Sequence, residues 1–265
     1  MSEIIAKVKQ KQIAQLIAHG KRLDNRGVTD YRDLQIEVGL IEKAEGSAHV
    51  KLGKTEVLVG IKVEVGEPFP DTPEEGVLTV NAELLPLASP SFEPGPPDEN
   101  SIELARVVDR GIRESKAITV EELVLETGKK VVVVFVDVYV LNHDGNLIDA
   151  SVVAALAALL NAKIPNYVVE EGEVKKKTGY RQLPISNYPV SITFAKINGK
   201  LVVDPLLEEE QVMSARLTMT FDKDGNICAI QKGGGNGSFT IQQILEAAKT
   251  GQQIAAERRK LVVKE

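Results

Sequence analysis

At 265 residues the chain is long enough to bury a full core, as one large domain or two small ones. A net charge of -6 and a pI of 5.4 argue against a protein that grips nucleic acid over its whole surface, so any such binding needs a local basic patch. Aromatics at 4% without tryptophan argue against a base-stacking platform, and the single cysteine, Cys228, allows no internal disulfide and fits a reducing cytoplasm.

The first twenty residues carry scattered charge and no small-residue cleavage site, so they do not read as a signal peptide, and no eighteen-residue apolar run predicts a membrane span. Instead Ile4, Ile5, Val8, Ile13, Leu16 and Ile17 form a helical stripe that Gly20 ends. An arginine-rich connection, RLDNRGVTDYRD, leads into an alternating strand through Leu34, Ile36, Val38 and Leu40. Two more strands follow in GSAHVKLG and TEVLVGIKVEV. The proline- and acid-rich GEPFPDTPEEG, residues 66–76, predicts a loop at the end of a hairpin, with LTVNAELLPLA as the returning strand.

A second proline-rich loop supplies Asp98, Asn100 or Ser101 as N-cap for a helix over 101–117. There Leu104, Val107, Val108, Gly111 and Ile112 share one face, while Arg106, Arg110 and Arg113 share the opposite one. On helix geometry alone that stripe is either a solvated face, with pairs such as Asp109 and Arg113, or a phosphate-binding stripe whose forks match phosphate oxygens. The β-branched VVVVFVDVYVL predicts a buried strand, and HDGNLIDAS, residues 143–151, turns it into an apolar helix over 148–162 that Pro165 terminates. Such a turn receives anions on free amides, yet it offers no lysine, arginine or threonine.

Lys175, Lys176 and Lys177 read as a solvated loop. PVSITFAKING and KLVVDP are strands, and Glu208-Glu209-Glu210 on a short turn reads as an exposed acidic edge rather than paired carboxylates. ARLTMTFDKDGNICAIQKGG predicts a hairpin with a type I′ Asp224-Gly225 turn, in which Cys228 is buried. Gly233 to Gly237 lacks the Gly-Lys-Ser/Thr ending of a phosphate loop and reads as a flexible turn; a last helix follows, capped by Ser238 or Thr240. His19, His49 and His143 share no ligand-like spacing, so no metal site and no cofactor are expected. The class is α+β, with helices packed on mixed, largely antiparallel sheets.

Several segments together resemble the RNase PH superfamily of phosphate-dependent 3′ to 5′ exoribonucleases. They are RLDNRGVTDYR (Arg22, Asp24, Arg26 and Arg32, with Asn25 where the family has glycine), GSAHVKLGKTEVLVGIKVE, NSIELARVVDRGIRES, DGNLIDAS, DPLLEEEQVMSARLTMT and GGGNGSFT. The resemblance implies an RNase PH-like fold of two halves in one compact unit: an N-terminal helix over 1–20, a first half over 21–165 and a second over 166–265.

Family members that do chemistry hold the attacking phosphate with a Gly-Gly-Thr-Arg corner and use a later aspartate. Aligned from Asp144-Gly145, the Gly-Thr-Arg positions carry Asn146, Leu147 and Ile148, and the aspartate falls near Ser214 or Ala215. The resemblance is therefore closest to the non-catalytic RNase PH-type subunits of the archaeal exosome, and implies no catalytic residue in this chain. It further implies a catalytic paralogue as partner, three such heterodimers in a hexameric ring, a trimeric cap of RNA-binding subunits, and single-stranded RNA degraded phosphorolytically. Arg106 and Arg110, with Arg113 on the same face, are then the implied RNA contacts. The acidic loop over 66–76 departs from the basic loop of catalytic paralogues. A self-sufficient phosphorolytic nuclease and a purely structural ring subunit are the alternatives.

Overall fold

The computed structural model describes residues 2–170 and 172–263, with side chains from residue 10 onward. Helix α1 (Ser2–Ala18) places Ile13 and Ile17 against Ala195, Ile197 and Val202; the side chains of Ile4, Ile5 and Val8 lie outside the described residues.

The first sheet is built from β1 (Leu34–Val38), β2 (Gly46–Leu52), β3 (Thr55–Gly66), β4 (Val77–Leu84), a short β5 (Val124–Glu126) and β6 (Lys130–Asn142), in the order β1-β2-β3-β6-β4 with β5 beside β6. Helix α2 (Glu99–Glu114) connects β4 onward to β6, and β4 lies parallel to β6, pairing Leu78 with Val134 and Val80 with Val136. The expected hairpin across residues 66–76 is therefore not formed. Strand β6 inserts between β3 and β4, because its alternating valines can face the core while both its edges are hydrogen-bonded.

Helix α3 (Leu147–Asn161) is apolar around its whole circumference, which is stable only where both sides are covered. It packs on β2 and β3 on one side and on β9 (Val190–Ile197) of the second sheet on the other. Small residues permit the close approach: a Cβ on Gly46 would stand 2.4 Å from the Ala158 carbonyl oxygen. The helix ends at Asn161, with Ala162 already extended, so Pro165 is not its terminator; it lies inside strand β7 (Lys163–Glu170), at a register shift. Strand β7 pairs with β8 (Glu173–Gln182) as a two-stranded ribbon. Lys175, Lys176 and Lys177 are thus exposed strand residues rather than a loop. Exposed lysines also suit a ribbon that belongs to neither larger sheet, since they discourage edge pairing.

The second sheet has the order β10-β9-β11-β12, from β9 (Val190–Ile197), β10 (Lys200–Val203), β11 (Ala215–Phe221) and β12 (Ile227–Gly233), with α4 (Leu207–Glu210) between β10 and β11. The β11–β12 turn is not type I′, which would need positive φ at both central residues. Only Gly225 has it, at +84°, and the Gly225 amide donates to the Asp222 carbonyl. Cys228 is half-buried rather than buried, with its Sγ 3.4 Å from the Thr220 carbonyl; desolvation pushes the thiol up to about 11. Gly233 to Gly237 is pinned rather than flexible: the Gly237 amide donates to the Ser214 carbonyl at 2.7 Å. Helix α5 (Ile241–Val262), capped by Thr240, covers β9 and β11.

Candidate nucleic-acid interface

Helix α2 begins where the Asp98 carboxylate accepts the Ser101 amide at 2.8 Å, and it buries Leu104, Val107, Val108, Gly111 and Ile112. Burying that face leaves Arg106, Arg110 and Arg113 exposed, all three lining one groove of about 300 Å³ between α2 and β4. Their surroundings differ. Arg113 donates twice to Asp109, at 3.0 and 2.7 Å, and also to the Leu78 carbonyl at 3.0 Å. The hydrogen bond to Asp109 raises its pKa. Arg110 donates to the neutral side-chain oxygen of Gln231 at 3.1 Å. Arg106 has no side-chain partner among the described residues. The groove holds three guanidinium groups against two carboxylates, Asp109 and Glu114.

The turn at the start of α3 carries no lysine or arginine of its own, but charged groups from other elements reach it. Asn146 caps the helix in the left-handed conformation, φ +53°, and its side-chain nitrogen donates to Asp149 at 2.8 Å and Asp204 at 2.7 Å. Its backbone amide donates to Glu210 Oε1 at 2.9 Å. A carboxylate of the chain itself thus takes an amide that could otherwise face an anion. The same cavity, about 240 Å³, is lined by Phe92, Glu103, His143, Glu210 and Arg216 among others. Arg216 pairs with Glu103 at 2.7 Å. The motif positions lack the arginine and the acid, but Arg216 and Glu210 reach the corner from β11 and α4.

Ser214 and Ala215 themselves do not titrate, and Ser214 Oγ donates to the Lys196 carbonyl. The acids raised at the corner come from α4 and α3. Desolvation pushes Glu210 up to about 7, against the Asn146 amide and the charge of Arg216. Asp149 is pushed to about 6 by burial, against hydrogen bonds from Tyr31, Asn146 and Thr193. With one cation against two carboxylates, the cavity disfavours a multiply charged phosphate as long as Glu210 is ionised.

The acidic triplet is not an exposed edge either. Glu209 is buried in a forked pair with Arg22, at 2.9 and 2.5 Å, and Glu208 is half-buried. Asp204 collects Arg26 at 2.8 Å and Arg32 at 2.7 Å; burial opposes its ionisation, but Arg32 and the Asn146 amide together hold it below the usual carboxylate range. The arginines of RLDNRGVTDYR therefore fasten the N-terminal connection to the β10–α4 segment. Sequence reading missed Glu103, Glu210 and Arg216 because each needs the tertiary fold to meet. The periodicity signal was available only for Glu103, which stands one turn before Arg106 and Val107 on α2. Among the described residues no group of three or more His, Cys, Asp or Glu is placed to hold a metal ion.

Residues 30–165 match the family described as "3′ exoribonuclease family, domain 1", and residues 187–254 match its domain 2. The chain belongs to the RNase PH family of 3′ exoribonucleases. Its relatives there include the exosome complex component Rrp42 of Pyrococcus horikoshii, 57% identical over 99% of this chain and 96% of that protein. The Rrp42 of Methanothermobacter thermautotrophicus is 50% identical over 92% and 90%. Among solved structures, a chain of the Archaeoglobus fulgidus exosome with RNA bound to the active site superposes with a TM-score of 0.89 at 48% identity, covering 97% of this chain and 98% of that one. An archaeal exosome core chain gives 0.87 at 44%, covering both chains fully. Both RNase PH-like halves and the mixed sheets expected from the sequence are borne out.

Proposed function

We propose that the chain is a subunit of an exosome ring that pairs with a catalytic RNase PH-type paralogue, does no chemistry alone and holds RNA through the arginines of α2. The names of its relatives support the exosome setting. The observation that carries the non-catalytic reading is the α3 corner: Glu210 occupies the Asn146 amide, and the one arginine lining the cavity among the described residues, Arg216, is countered by Glu103. Three such heterodimers complete the ring, a trimeric RNA-binding cap sits on one face, and the assembly works in the cytoplasm on single-stranded RNA. The exposed groove with Arg106, Arg110 and Arg113 supports the RNA contact, with Arg113 the least free of the three.

A second reading, a self-sufficient phosphorolytic nuclease, is favoured by one feature: Glu210, pushed up to about 7, stands in the same cavity as Arg216 and could give a proton to a leaving oxygen. Reconstitution separates the two. Mixed with the paralogue, the chain co-elutes on size exclusion and the mixture degrades 3′-tailed RNA in phosphate. Failure to co-elute, with nuclease activity in the chain's own fractions, supports the second reading.

A further inference from the structure

We propose that Gln231 is a positioning residue that presents Arg110 to RNA, an inference resting on the reading of α2 as an RNA contact. Gln231 lies on β12, the edge strand of the second sheet, and its Oε1 accepts from Arg110 Nη1 at 3.1 Å. Its Nε2 is in turn directed at Glu103 Oε1, 3.5 Å away, and the same oxygen pairs with Arg216 Nη2 at 2.7 Å. The row Arg110–Gln231–Glu103–Arg216 thus joins the arginine groove to the cavity at the start of α3. Gly233 leaves room for its inner end: a Cβ there would stand 2.7 Å from Glu103 Oε1 and 2.9 Å from Arg216 Nη2.

The choice of a neutral amide matters. Asp109 orients Arg113 but neutralises it, and Arg106 keeps its charge without an orienting partner. Gln231 fixes the Arg110 fork while leaving its full positive charge, so less side-chain freedom is lost when a phosphate docks. Arg110 is the oriented and uncompensated member of the stripe.

The test is a double-mutant cycle on the full chain, reading the affinity for a fluorescein-labelled single-stranded oligoadenylate by anisotropy. Gln231→Ala is expected to weaken binding about fivefold, as loss of one exposed hydrogen bond would. In an Arg110→Ala background it should add nothing. Gln231→Glu, which keeps the hydrogen bond but cancels the charge, should weaken binding at least as much as Gln231→Ala. Equal weakening by Gln231→Ala with and without Arg110 would overturn the proposal, as would full affinity in Gln231→Ala when Arg110→Ala has lost it. Full affinity in Arg110→Ala itself removes the RNA-contact reading, and this inference with it.

Discussion

Arg22 and Glu209 stand 187 residues apart in the chain and meet as a forked pair with both side chains fully enclosed. The remaining guanidinium hydrogens go to the carbonyls of Val203, Asp204 and Asp30, so no donor is wasted. Removing one partner leaves the other as an uncompensated buried charge. Arg22→Met or Glu209→Leu alone should therefore cost about 3–5 kcal/mol in urea unfolding, while the double change recovers most of the loss. A single variant that loses under about 1 kcal/mol would show the pair to be dispensable.

The raised carboxyls make a pH prediction. The folded chain keeps the Glu210 proton up to about 7, against an ordinary value of 4.5, and so binds it more tightly than the unfolded chain does. Stability from this group is fully present below 4.5 and is lost as pH rises to 7. Asp149 adds the same sign between 3.8 and about 6. Glu210→Gln keeps an oxygen for the Asn146 amide and cannot titrate, so its stability curve should be flatter than the parent's between pH 4.5 and 7. Parallel curves would contradict the assignment.

Gly145 has φ +87°, and a Cβ there would stand 2.5 Å from the backbone of Pro205, Leu206 and Leu207. Gly128 has φ +74° with open space around it. Thermal unfolding should then separate them: Gly145→Ala is expected to cost at least ~2 kcal/mol more than Gly128→Ala, because only the first pushes α4 away. Equal costs would mean that backbone strain alone matters at both sites.

For the arginine groove, Arg106→Glu with Arg110→Glu should weaken RNA binding and reduce the slope of log affinity against log salt by about 1.4, two phosphate contacts on a single strand. Arg113→Ala should change affinity less, since Asp109 already compensates that charge. Unchanged binding and turnover in the double variant would favour a purely structural ring subunit.

Much of this was legible in the sequence for a physical reason. The 3.6-residue period of α2 put Arg106, Arg110 and Arg113 on one face, and the Ala/Leu-rich run marked α3 as an apolar helix. Turn residues put Asp98 and Thr240 among the candidate caps, and the structure selects them. What periodicity could not give was pairing. Nothing local says that β6 would slip between β3 and β4, since a strand's partners are set by the whole sheet. The same holds for Glu209 and Glu210. A charged triplet on a short turn is usually solvated, and only the arrival of Arg22 from the far end of the chain, and of the Asn146 amide, makes enclosure tolerable.

The central claim, that the α3 corner is occupied from within and cannot support phosphorolysis, is tested most directly by nucleoside diphosphate release. The isolated chain is incubated with 3′-tailed RNA and inorganic phosphate, and the products are resolved by chromatography. The account predicts no diphosphate from the parent chain. Diphosphate released by the chain alone, and abolished by Glu210→Gln or Arg216→Ala, would contradict it.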